Sequence, residues 1–141
     1  MSQHHVDVLK RQTEAFNRRD TAAIQALWHP DGTYVASTAA LEGPDAAYAG
    51  RDVGSYITAV DEMFEKWTVA DARYYEIDEQ RVLQVHRVTA TAKGSGVPLD
   101  HRFGIIWTFR DGLIDAGESY SSPSDAFAAA GLSKQDAYAE S

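Results

Sequence analysis

With 141 residues, 44% of them hydrophobic and 24% charged, the chain suits one globular domain with a single core and suits neither disorder nor a low-complexity tract. A net charge of −8 with 13 scattered basic residues argues against nucleic acid as a partner, and no apolar run approaches the ~20 residues of a membrane span. Cysteine is absent, which excludes disulfides, thiolate nucleophiles and Cys-type zinc sites. The N-terminus MSQHHVDVLK lacks the apolar core of a signal peptide, so the expected compartment is the cytoplasm.

In chain order, Val6, Leu9 and Phe16 recur at helical spacing with Lys10, Arg11 and Glu14 left for the outer face, which predicts a first helix over Val6–Phe16. His4 and His5 precede it in an end expected to fray. Asp20 is placed to accept from the free N–H groups that open a second short helix through Ile24 and Leu27, which Pro30 would end. Thr33–Ser37 is β-branched and aromatic and predicts a strand, and residues 39–50, with Gly43, Pro44 and Gly50, predict a long loop bordering the site. Val53, Ile57, Val60, Phe64 and Trp67 follow at 4, 3, 4, 3 spacing, the pattern of an amphipathic helix.

Beyond Trp67 the pattern turns extended, with strands near Thr68–Ile77, Arg81–Ala92, Leu99–Phe109 and Leu113–Tyr120. GSGVP and RDG read as hairpin turns, so these strands are antiparallel neighbours. Ser122-Pro123-Ser124-Asp125 starts a last helix over Pro123–Ala130, with Asp125 placed to cap it and Gly131 to stop it. One domain over 1–131 and a tail over 132–141 result.

The phrases EAFNRRD, ALWHPDGTY, GRD, SGVPLDHRF, WTFRDGLI and SYSSPSDAFAAAGL, in this order and spacing, resemble the SnoaL-like branch of the nuclear transport factor 2-like superfamily. The resemblance implies an α+β fold: a cone-shaped, curved antiparallel sheet packed against about three helices of the N-terminal half, with a short C-terminal helix. It implies an apolar pocket on the concave face but no single function, because the superfamily holds isomerases, dehydratases, epoxide hydrolases, polyketide cyclases and members without catalysis.

Alternation along the strands decides which residues line that pocket. A turn centred on Gly94–Val97 would pair His86 with Ile105 and Ala90 with His101, turning His86, Val88, Ala90, His101, Phe103, Ile105 and Trp107 inward. A three-residue loop Arg110–Gly112 would pair Trp107 with Asp115 and Phe103 with Ser119, both inward, whereas a two-residue loop would turn Glu118 and Tyr120 inward instead. The resemblance favours Asp115 and Ser119.

Steroid-isomerase relatives need a strand Asp and a Tyr–Asp oxyanion hole, and the matching positions here hold Ala36, Gln12 and Ile105. Epoxide-hydrolase relatives need an Arg and an Asp two residues apart plus a further Asp, where this chain reads Arg87-Val88-Thr89 and Ser119. Both mechanisms are disfavoured. Relatives resembling scytalone dehydratase carry a base at about the position of His86, although their Tyr–Asp pair corresponds here to Phe16-Asn17. SnoaL-like cyclases rely on one pocket carboxylate, for which Asp115 is the candidate.

His86 and Asp115 are therefore the expected catalytic residues, and Tyr34, Val88, His101, Phe103, Ile105, Trp107 and Ser119 the expected pocket. A neutral imidazole is a competent proton acceptor near pH 7. By residue type alone, however, His86 reads more readily as a hydrogen-bonded core or interface residue than as a base, and His101 as a half-exposed rim residue. No metal-ligand spacing and no phosphate-binding loop occurs, so no metal or cofactor is expected. The function expected is a cofactor-free dehydratase, isomerase or cyclase on a small hydrophobic or polyketide-like molecule, or else a non-catalytic ligand-binding or assembly domain. A homodimer is expected through an outer sheet face of Arg87, Thr89, Thr91, Arg102, Ile106 and Thr108, a β-branched surface with few acids.

Overall fold

The computed structural model describes residues 2–35, 47–49 and 53–132. Helix α1 spans Ser2–Asn17 and α2 spans Thr21–Gln25, followed by strand β1 over Trp28–Val35 and the short β2 over Ala47–Ala49. Helix α3 (Val53–Met63) leads into β3 (Phe64–Glu76), β4 (Arg81–Ala92), β5 (Pro98–Arg110) and β6 (Leu113–Tyr120), and α4 (Pro123–Ala130) follows them. The strands form one open sheet of order β2-β1-β6-β5-β4-β3. The fold is thus α+β as the sequence implies, with one difference in pairing: β1 runs parallel to β6, while every other neighbour pair is antiparallel.

The sequence signals act locally as their chemistry dictates. Asp20 caps α2 by accepting from Ala23 N–H at 3.1 Å. At α4 the cap is Ser122, which accepts from Asp125 N–H at 3.2 Å, so Asp125 sits in the first turn, and Gly131 ends the helix at φ 75°. Other boundaries moved. Helix α1 includes His4 and His5, and the His5 ring is buried, stacked on Phe109 with centroids 4.0 Å apart. Helix α2 ends at Gln25, well before Pro30, which lies inside β1 where the pairing with β6 is irregular. Helix α3 stops at Met63 because Phe64 already pairs with Ala92; a bulge with Lys66 at φ 58° then returns Trp67 to the core. Of the loop expected over 39–50, Ala47–Ala49 is a strand and the rest lies outside the described residues, as does the tail from residue 133.

Helices α1, α2 and α3 cover one face of the sheet, burying Val8, Leu9, Ile24, Ile57 and Val60 against Val82, Val88, Ile105, Trp107 and Ile114. Arg19 ties three elements together: it makes two contacts of 3.1 and 3.2 Å to the Asp61 carboxylate of α3 and donates to the carbonyls of Phe16 and Trp67. Helix α4 covers the other face, packing Ala126, Phe127 and Ala130 on Leu83, Val85 and Ile106. Gly104 permits that approach, since a Cβ there would lie 2.3 Å from the Ala126 Cβ.

This second face corrects the sheet surface expected for self-association. Ile106, its one large apolar member, is buried beneath α4. Arg87 forks onto Asp100 at 2.7 and 2.6 Å, and Arg87 and Arg102 both approach Asp71 at 4.0 Å, so this surface is balanced by acids.

Candidate functional site

Two turns decide which side chains share the helix-covered face. Between β4 and β5 the turn is centred one residue earlier than expected: Thr91 pairs with Pro98, and Gly94 and Gly96 supply the positive φ values of 84° and 72°. The register is therefore shifted by two residues, so His86 lies opposite Phe103 and Ala90 opposite Leu99. A two-residue shift preserves alternation, and His86, Val88, Phe103, Ile105 and Trp107 stay on one face.

Between β5 and β6 the loop is the two-residue Asp111-Gly112, both at positive φ (54° and 78°), which pairs Arg110 with Leu113. A bulge at Asp115 then takes up one residue, so Trp107 faces Gly117 and Ile105 faces Ser119. Ser119 thus shares the face of His86, and Glu118 and Tyr120 lie on the other, where the Tyr120 hydroxyl donates to Glu118 at 2.7 Å. The expected pairing of Trp107 with Asp115 does not form. Asp115 sits in the bulge and is held by Arg110 at 2.9 Å, while Arg110 also reaches His29 Nδ1 at 2.8 Å. Counted along β5 from Phe103 to Thr108, Asp115 and His86 are offset by about 16 Å along the strands at ~3.3 Å per residue, and they lie on opposite sides of β5. The two expected catalytic groups are not brought together.

His86 is 4% exposed. Its ring lies 6.2 Å from that of Phe103, and its Nδ1 is 3.3 Å from Gln84 Nε2. Gln84 Oε1 in turn accepts from the Trp107 indole N–H at 2.9 Å. Trp107 is boxed in by Tyr34, stacked at 5.8 Å, and by Trp28, edge-on at 5.9 Å, and Tyr56 stands edge-on to Tyr34 at 5.2 Å. Trp28 is itself fixed by donating to the buried Gln12 at 2.6 Å. Val88 and Ile105 are buried and Phe103 and Ser119 half-buried, whereas His101 is exposed, its Nε2 against the Ser121 carbonyl and its ring 4.6 Å from Phe103.

Gln84 and Tyr56 escaped the sequence reading, and Gln12 entered it only as a position matching the steroid-isomerase oxyanion hole. For Gln84 the signal was present, because it precedes His86 by two on the same strand and must share its face. Asn17, at the position of the dehydratase acid, instead clamps the backbone of Val69, donating to its carbonyl and accepting from its N–H at 3.0 Å each. A shallow depression by Asp78–Arg81 and Thr108 lies at the far turn, away from these groups. Among the described residues no cluster of three or more His, Asp or Glu is placed to hold a metal, and no helix is long and apolar enough to cross a membrane.

Burial pushes the His86 imidazole down to about 4. Its contribution to stability therefore changes with pH in a defined direction. Above about pH 6.5 the imidazole is neutral folded or unfolded; below it the unfolded chain takes up the proton first, at about 1.36 kcal/mol per unit. Stability should fall by about 3 kcal/mol between pH 6.5 and 4 on this account and level off below. Urea denaturation of the wild type and of His86→Gln, which cannot titrate there, should show the gap between them narrowing by that amount; a constant gap would mean that the ring is not desolvated.

The model of the family described as the SnoaL-like domain matches residues 9–116. Among solved structures, a protein with a ketosteroid isomerase-like fold from Catenulispora acidiphila, in complex with trimethylamine, is 22% identical with a TM-score of 0.69, over 89% of this chain and 93% of that one. A candidate polyketide cyclase from Xanthomonas campestris is 22% identical with a TM-score of 0.71, over 91% and 97%. TerC, co-crystallized with polyporic acid, is 20% identical with a TM-score of 0.73, over 89% and 96%. No curated protein matches the sequence. The matched stretch, running from α1 into β6 and including the strands that carry His86, Gln84 and Trp107, shows that the chain belongs to the SnoaL-like domain family.

Proposed function

We propose that the helix-covered face of the sheet binds a small, largely apolar molecule against His86, and that the protein is a cofactor-free enzyme of the dehydratase, isomerase or cyclase kind. The observation that carries this reading is a neutral imidazole, 4% exposed and free of any ion pair among the described residues, on an aromatic-lined face. A group so buried keeps its proton chemistry out of water, where it is effective on an apolar substrate. The family and the small ligands of two structural neighbours, trimethylamine and polyporic acid, agree with a binding role. The separation of Asp115 from His86 favours a second reading, a binding domain without catalysis. Self-association would have to use what α4 leaves open on the outer face, chiefly Thr89, Thr91 and the Arg87–Asp100 pair.

Both readings require a ligand, and a flat aromatic ketone such as 2-acetylnaphthalene tests them. At ten times its Kd it should stabilise the fold by about 1.4 kcal/mol and raise Tm by roughly 5 °C, while perturbing Trp107 fluorescence. No shift and no fluorescence change up to the solubility limit, for this ketone and for matched phenols, would count against binding at this face.

A further inference from the structure

The order of donors and acceptors along Trp107, Gln84 and His86 defines more than a packed core. An indole nitrogen can only donate, so the Gln84 atom 2.9 Å from it must be the carbonyl oxygen; the reverse amide orientation would set two donors face to face. The Gln84 NH2 group is thereby turned to His86 Nδ1, 3.3 Å away. A neutral imidazole has one bare nitrogen and one N–H. Facing a donor, Nδ1 is the bare one, and Nε2 carries the proton at the opposite side of the ring, without a hydrogen-bond partner among the described residues. His86 is 4% exposed, so water reaches this N–H poorly, and a ligand oxygen that accepts from it is favoured over a hydrocarbon of the same shape by about the worth of one hydrogen bond.

We infer that Gln84, locked by the Trp107 indole, is a positioning residue that holds His86 as its Nε2–H tautomer, so that the group offered to a ligand is a hydrogen-bond donor matched to a carbonyl, enolate or other oxygen acceptor. The ligand half of this inference rests on the binding reading above; the tautomer half does not. It changes the part His86 plays: the imidazole polarises an oxygen, as a fixed donor in a dry site does, in place of accepting a proton through Nε2.

Long-range 1H–15N correlation spectra of the ligand-free protein read the tautomer directly. Between about pH 5.5 and 8 the His86 signals should show protonated Nε2 and bare Nδ1 throughout. Nδ1–H, or an averaged mixture, would overturn the proposal. Gln84→Glu places an acceptor beside Nδ1 and should move the proton there or charge the ring, and an unchanged tautomer would remove the positioning role. If that variant does not fold, Trp107→Phe frees the amide to rotate and should give a mixture, with a single Nε2–H form counting against the lock. Binding of 2-acetylnaphthalene and 2-ethylnaphthalene then tests the ligand class: the ketone should bind about 5–10-fold more tightly to the wild type, the worth of one hydrogen bond, and should lose that preference in Gln84→Glu where the spectrum shows the proton moved from Nε2 to Nδ1. Equal affinity overturns the ligand class. If neither probe binds, the binding reading fails, and the spectrum still decides the tautomer.

Discussion

Gly117→Ala is expected to destabilise the protein by about 3 kcal/mol, at the upper end for overpacking, and to lower Tm by roughly 10 °C. A Cβ at this position would lie 2.5 and 2.8 Å from two carbons of the Trp107 ring and 2.8 Å from one of Tyr34. Neither ring can yield cheaply. Trp107 is stacked on Tyr34, wedged by Trp28 and tied to Gln84, and Tyr34 is backed by Tyr56. Gly96→Ala is the control: its φ of 72° imposes a backbone cost of about 1 kcal/mol, but no atom lies within 4 Å of the new methyl. Urea denaturation of the two variants separates backbone strain from collision. A loss below about 1 kcal/mol for Gly117→Ala would show that the indole moves freely, and would undercut the lock on Gln84 as well.

The second large effect concerns turnover. With a substrate in hand, His86→Phe should lower kcat/KM by ~10²-fold or more, the usual worth of a proton-transfer group or of a single preorganised donor. His86→Gln separates those roles, because its amide retains an N–H but cannot carry a proton at neutral pH. Partial retention of kcat in His86→Gln is the result expected of a donor, whereas a proton-transfer group would lose as much with Gln as with Phe. Asp115→Asn should change turnover by less than about threefold, because Asp115 is held by Arg110 some 16 Å along the sheet. Full turnover in both folded His86 variants would retire His86 as the group on which the chemistry depends.

Much of this architecture was legible from residue order. The helical spacing of Val6–Phe16 and of Val53–Trp67 as far as Met63, the alternation through β4 and β5, the cap at Asp20 and the helix start at Ser122–Asp125 report short-range physics, and the structure contains those elements, with Ser122 in place of Asp125 as the cap. The Asp111-Gly112 pair marked a hairpin, but its loop length was not legible. Asp-Gly suits a two-residue turn, and the same stretch also accommodates three. Only the bulge at Asp115, formed where β6 must pair with both β5 and β1, restores alternation and puts Ser119 on the face of His86. Gly117 looked unremarkable because what it avoids, the rings of Trp107 and Tyr34, comes from two other strands.

The sequence by itself determined the family, the α+β class, the face on which His86 lies, and the absence of cysteine chemistry. The family follows from the resemblance carried by its ordered phrases, and the others from composition, local periodicity or the parity of a strand, which a two-residue slip leaves unchanged. The tertiary structure alone decided that Asp115 is paired with Arg110 instead of facing Trp107, that Ile106 lies under α4, and that the amide of Gln84 is oriented between an indole and an imidazole. Such facts depend on which atoms of distant residues meet at hydrogen-bond or van der Waals distance, and spacing along the chain carries no record of that.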